Sequence, residues 1–333
     1  MLAHDHHKQS LNGLRAALYD WHTPTIRRVL TDLFAPDATV QLCHPFEALA
    51  GPVGLLEQAL LPLRHAIPDL ERRDYIVISG TSVDGGDWVG CAGYYTGLFA
   101  HPWLGIPPTH RQIGMRFHEF YRLVDHRVVE MQAIWDIPEL MMQAGVWPMG
   151  PSLGREWQVP GPATQDGLVQ GPRDDTMTEA ALQRVLAMLI DMGKHPREPV
   201  EAMRLDTHWH PSFSWYGPAG IGTSRGIDGF RHCHQIPFLT AMPDRRGGYD
   251  GQGAFFAENR YVAVTGWPGM SMTLTGSGWL GIAATQQPLT MRSLDFWRVE
   301  HDRIRENWVL IDLLNIWQQV GVDVLARMES MQH

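Results

Sequence analysis

Four acidic side chains stand where they could move protons. Asp312 interrupts an apolar run from Arg305 to Val322, "RENWVLIDLLNIWQQVGV", and Asp136 interrupts a second run at residues 129–146, "VEMQAIWDIPELMMQAGV". These two aspartates lie 176 positions apart (312 − 136), and Glu119 and Asp295 are separated by the same interval (295 − 119). Side chains alternate between the two faces of a strand. Glu306, Trp308, Leu310 and Asp312 then share one face, as do Glu130, Gln132, Ile134 and Asp136. On the strands before them, Glu119 is in step with Tyr121 and Asp295 with Trp297. If all these faces line pockets, each repeat holds two carboxylates on adjacent strands. Burial and a second negative charge both raise a carboxyl pKa, and a raised pKa suits general acid–base work near neutrality. The expected catalytic set is Asp312, Asp136, Asp295 and Glu119, with Gln132, Trp215, Trp308 and Leu310 contacting substrate. His44, at the end of "ATVQLCH", is the candidate pocket histidine.

A structural explanation competes with this one. Asp312 precedes "LLNIWQQ" and Asp136 precedes "IPELMMQ". Aspartate is a favoured N-cap and proline is tolerated in the first turn, so capping alone would account for both. Glu119 and Asp295 could equally be hydrogen-bonded structural acids. Arg122 and Arg298 are expected on the outer face, and Glu130 and Glu306 in solvent. Among the histidines, His4, His6 and His7 read as a disordered tail. His232 and His234 ("HCH") fall two apart on a helix and point to different faces, so they do not share a metal. His208 and His210 would share a face only on a strand, and Pro211 follows at once. Neither metal-type spacing nor a Gly-rich phosphate loop is present, so no metal and no cofactor are expected.

The elements that must position these residues occur twice. Sliding the chain against itself by about 175 places aligns Gly51 and Gly54 with Gly226 and Gly229, and Pro68-Asp69 with Pro243-Asp244. "WLGI" at Trp103 matches "WLGI" at Trp279. Each copy begins with helical periodicity ("SLNGLRAALYDW", "TEAALQRVLAMLIDM"), then gives a short strand, "ATVQLC" or "SFSWYG". A helix interrupted by Pro62 or Pro237 follows, which predicts a bend or break. Long strands close each copy, with "VDHR" and "EHDR" as hairpin turns. Helices followed by antiparallel strands indicate an α+β class. The expected domains are residues 8–147 and 177–330, joined by a Pro/Gly-rich linker at 148–176.

The block from Asp295 to Val322 resembles the end of the SnoaL-like polyketide cyclases, in the nuclear-transport-factor-2-like superfamily. The resemblance lies in Asp295, Arg298, Glu306-Asn307-Trp308, Asp312 and Gln319-Val320-Gly321, and in the "RGIDGF…TAMPD" segment. The first copy matches through Glu119, Arg122, Glu130, Asp136 and Gln143-Ala144-Gly145. The resemblance implies two tandem cones, each a curved mixed or antiparallel sheet with helices over the concave face and a deep pocket. It implies Asp312 and Asp136 as acid/base residues, and an intramolecular pseudo-dimer or a homo-oligomer. The family histidine is replaced by Asn307 in one copy and Met131 in the other.

Composition limits the partners. A net charge of −9 does not supply the basic footprint that nucleic acid requires. No apolar run reaches membrane-spanning length and the N-terminus lacks a signal-peptide core, so a cytoplasmic location is expected. Cys43, Cys91 and Cys233 are odd in number and far apart, which suggests reduced thiols. Thirteen Trp and sixteen Met suit an apolar pocket for a small apolar or aromatic molecule. Two functions stay open: a cofactor-free cyclase, lyase or isomerase using pocket carboxylates, or a non-catalytic ligand-binding protein. A protein-interaction role ranks below both.

Overall fold

A computed structural model describes residues 3–247 and 253–331, the side chains from residue 6 onward. The chain divides into two compact units. Residues 1–148, 164–169 and 323–333 form the first, and residues 149–163 and 170–322 the second.

Domain 1 opens with α1 (Ala3–Tyr19) and α2 (Thr23–Leu33). Next come β1 (Phe34–Leu42), β2 (Glu47–Leu49) and α3 (Gly51–Gly54), then a π-helical turn (Leu55–Leu60) and α4 (Leu61–Ala66). Four long strands follow: β3 (Glu71–Thr81), β4 (Asp87–Leu98), β5 (Gln112–Val124) and β6 (Arg127–Trp135). A short α5 (Ile137–Gln143) ends the run. The sheet order is β2-β1-β6-β5-β4-β3, with β1 and β6 parallel and the other neighbours antiparallel.

Domain 2 repeats the plan. It has α6 (Asp175–Met192), α7 (Leu205–His208), β7 (Trp209–Tyr216), β8 (Thr223–Arg225) and α8 (Gly226–Phe230). A second π-helical turn (Arg231–Gln235) leads into α9 (Ile236–Ala241). The strands are β9 (Arg246–Gly247), β10 (Ala254–Glu258), β11 (Tyr261–Thr273), β12 (Pro288–Glu300) and β13 (Arg303–Ile311), and α10 (Leu313–Gln319) follows. Its sheet runs β10-β11-β12-β13-β7-β8, with β9 on β11, and β13 and β7 are parallel. The last helix, α11 (Val324–Ser330), belongs to the first unit. Both domains are α+β, with mixed sheets and helices, as the repeat predicts.

The internal prolines do not break their helices. Each is preceded by a π turn, in which Leu61 N–H reaches Leu56 O and Ile236 N–H reaches Arg231 O, five residues back. This wider turn lets the helix continue through Pro62 and Pro237 without the usual break. The expected N-terminal disorder is also corrected: His6 and His7 lie on α1, their rings 6.1 and 5.9 Å from His126, while the side chain of His4 lies outside the described residues. Among the described residues no helix is long and apolar enough to cross a membrane. The three cysteines are free.

Candidate functional site

A bulge decides which side chains face inward. In the β12–β13 hairpin Val299 pairs with Ile304, but Arg298 pairs with Glu306, so Arg305 has no partner on β12. A regular ladder continued from Val299–Ile304 would set Asp295 opposite Trp308. The extra residue sets it opposite Val309 instead, and Trp297 opposite Asn307. A one-residue change of register exchanges the faces of a strand. Domain 1 has the same bulge, so Glu119 sits opposite Ala133 and not Gln132.

The expected faces are corrected accordingly. Trp308 lies opposite Phe296 and Leu310 opposite Leu294, on the face away from Asp295. Trp308 Nε1 donates to Pro160 O at 2.9 Å. Gln132 is turned from Glu119 and donates to Glu130 Oε1 at 2.7 Å. Glu306 is buried and not solvated; it accepts from Arg298 Nε at 2.6 Å and from the Tyr216 hydroxyl at 3.2 Å. Arg298 is buried with it.

The repeated aspartates stand at helix starts. Asp312 accepts from Asn315 N–H of α10 and from Arg292 Nη1, both at 3.2 Å. Asp136 makes no side-chain cap bond to α5, but Arg116 Nη2 lies 3.4 Å from its carboxylate. Arg116 and Arg292 are themselves a repeated pair. His44 Nδ1 lies 3.3 Å from Glu47 Oε1, in the segment joining β1 to β2.

Between the sheet and the helices of domain 2 lies a cavity of about 150 Å³. Ser293, Asp295 and Trp297 of β12 and Asn307, Val309 and Ile311 of β13 form its sheet wall. Phe230, His234 and Phe238 line the helical side, and Trp215 of β7 completes that wall. Asp295 is the acid in this lining. Its Oδ1 is enclosed and has no hydrogen-bond partner, and no ion pair reaches it among the described residues. The residue as a whole is half-buried and lines the cavity. Burial pushes its carboxyl well above the usual carboxylate range. Two residues along the same face, Trp297 Nε1 is also buried without a partner. Asn307, where the family histidine is expected, spends its amide on Phe296 O at 3.0 Å.

The spacing of His234 raises only a metal site, which it does not support. In the structure it lines the cavity, stacked on Trp215 (centroids 4.2 Å apart, planes at 14°) and on Phe238 (5.5 Å, 25°). Burial, with the nearby Arg245 charge, pushes the imidazole down to about 3. Arg245 is held there by bonds to His195 O (2.8 Å) and Met192 O (2.7 Å). The signal was present in the sequence: Phe230, His234 and Phe238 recur every four residues, so the histidine sits in an inward aromatic stripe. Among the described residues no group of three or more His, Cys, Asp or Glu side chains is placed to hold a metal ion.

Domain 1 treats the equivalent acid differently. Glu119 is ion-paired with Arg72 and accepts from the hydroxyls of Tyr95 (3.0 Å) and Tyr121 (2.5 Å) and from Trp135 Nε1 (2.9 Å). Arg72 also binds Asp74 and lies 4.2 Å above the Phe117 ring. The repeat matches Trp215, Phe230, His234 and Phe238 with Val40, Leu55, Ala59 and Leu63, all buried aliphatics. Here the acid belongs to an internally satisfied polar cluster.

The family model for SnoaL-like polyketide cyclases matches residues 14–144 and again 197–320. The chain therefore belongs to the SnoaL-like polyketide cyclase family, as a tandem duplication of its domain. Similar solved structures each cover less than half of the chain. IdmH of Streptomyces antibioticus is 24% identical over 42% of this chain and 98% of its own, with a TM-score of 0.35. A SnoaL-like protein of Jannaschia sp. CCS1 is 21% identical over 43% and 93%, with a TM-score of 0.36. An NTF2-like protein of Burkholderia xenovorans LB400 is 16% identical over 43% and 98%, with a TM-score of 0.33. No curated protein matches the chain significantly.

Proposed function

We propose that domain 2 is an acid–base catalyst acting on a small planar ring compound, with Asp295 as the group that carries the proton. The observation behind this reading is a carboxyl that forms no ion pair among the described residues, in an aromatic-walled cavity, where the duplicate acid Glu119 is fully paired. Ionised Asp295 removes a proton from the carbon next to a substrate carbonyl, leaving an enolate. The enolate carbon attacks a second carbonyl carbon, a carbon–carbon bond forms, and Asp295 returns its proton to the new alkoxide. Product and substrate are isomers, and nothing is oxidised or reduced. The Trp297 N–H is available to the developing oxyanion. Because burial raises the carboxyl pKa, the ionised, reactive fraction grows as pH rises through that raised range.

Cavity size limits the substrate. About 150 Å³ is the volume at which an apolar cavity takes up benzene. A single ring therefore fits without rearrangement, and Asp312 and Asp136 play structural parts. Proton abstraction is testable without the native substrate. Incorporation of deuterium into cyclohexanone in D₂O, followed by proton NMR, should be accelerated by the protein and fall to the buffer rate in Asp295→Asn. Exchange that is unchanged in that variant rejects Asp295. Saturable ring binding with no exchange in the wild type assigns the domain as a binding module, the alternative that the missing family histidine favours.

A further inference from the structure

We propose that His234 is a substrate-positioning residue of domain 2, hydrogen-bonding a hydroxyl or carbonyl oxygen on the ring whose reacting carbon meets Asp295. This rests on the reading of Asp295 above and adds a specificity element to it. Three observations support the assignment.

The first is placement. Asp295 comes from the sheet wall and His234 from the helical wall, so a ring between them can meet both. The second is the imidazole's bonding. His234 Nδ1 is enclosed and has no partner, while the ring keeps accessible surface along the cavity. A neutral imidazole has one N–H and one lone pair. Leaving the lone pair at Nδ1 places the proton on Nε2, where it can donate into the cavity. Protonation is blocked by burial and by Arg245, so the ring acts as a neutral hydrogen-bonding group and not as a general base. The third is the internal comparison. The duplicate position is Ala59, in a matching π turn of the same fold. The architecture therefore does not need a histidine there, yet domain 2 holds one in place by stacking it between Trp215 and Phe238.

The selected ligand is a single planar ring with one oxygen substituent reaching the helical wall. The matched probes are phenol and toluene, which share a shape and differ by a hydroxyl. Dissociation constants are measured by NMR titration for the wild type, His234→Phe and Asp295→Asn. Phenylalanine keeps the stack and removes the hydrogen bond. The ratio of the toluene to the phenol constant should fall about fivefold or more in His234→Phe. In the wild type, phenol but not toluene should shift the ¹⁵N signal of the His234 ring. That second readout keeps the test decisive if the phenylalanine variant does not fold. Equal weakening of both probes, or a ratio that changes only in Asp295→Asn, overturns the role of His234 while leaving the cavity acid in place. Failure of the wild type to bind either probe at millimolar concentration overturns both.

Discussion

At the residue scale the two repeats place matched acids in opposite surroundings. Glu119 is enclosed with a guanidinium and three neutral donors, whereas Asp295 is enclosed with none of these. Desolvation without a compensating partner favours the neutral form of such a carboxyl and raises its pKa. Folded Asp295 then keeps a proton that the unfolded chain releases in the ordinary carboxyl range. Its contribution is most favourable below that range, and it declines as pH rises towards the raised folded pKa, by up to about 1.4 kcal/mol per pH unit. Asp295→Asn removes this penalty. It should be more stable than the wild type in urea unfolding at pH 8, with the difference shrinking towards pH 4, even as exchange activity is lost. Asp312→Asn should behave in the reverse manner. It loses a cap acceptor and the Arg292 pair, costs about 1 kcal/mol, and leaves exchange intact. Asp295 and Glu119 were legible as acids at matched positions. Asp312 was legible as either cap or catalyst, and the bond from Asn315 N–H shows that it does cap α10. His234 was missed because two neighbouring histidines drew attention to metals and away from the aromatic stripe it interrupts.

At the element scale, strand identities were readable and strand faces were not. β5 is the segment 112–124 that alternation marks out, but the side that Glu119 occupies depends on one unpaired residue near the hairpin turn. A bulge has no reliable single-residue signature, so Trp308 and Leu310 were assigned to the wrong wall. The helical cover has its own local requirements. A Cβ on Gly217 would stand 2.2 Å from the Trp215 ring, so a bare backbone is needed for that ring to lie over His234. Gly217→Ala should displace Trp215, cost about 1–3 kcal/mol and weaken binding of both phenol and toluene, measured by urea unfolding and NMR titration. A second polar cluster supports the helices of domain 2. Asp191 binds Lys194, Arg204 and His208, each at 2.7 Å. Burial works against its ionised form, but those bonds hold its carboxyl well below the usual range. Asp191→Asn should lower unfolding stability by about 2 kcal/mol, because His208 is left buried with a weakened partner.

At the scale of the whole molecule, duplication has kept the scaffold and changed the interior. The repeat was the most legible feature of the sequence, because matched glycines, Pro-Asp pairs and "WLGI" segments survive where the pocket-lining residues have diverged. What diverged is the cavity lining: aromatic and polar groups in domain 2 stand where domain 1 has Val40, Leu55, Ala59 and Leu63. Glu119→Gln should leave Arg72 buried with one fewer partner and destabilise domain 1 by about 3 kcal/mol, while exchange by folded protein stays at the wild-type rate. The most direct measurement is therefore cyclohexanone deuteration by Asp295→Asn, Asp312→Asn and Glu119→Gln side by side with the wild type. Loss of exchange in Asp295→Asn alone is the expected result. Wild-type exchange in Asp295→Asn, or loss in Asp312→Asn with its fold intact, would contradict a single proton-carrying acid in the domain 2 cavity.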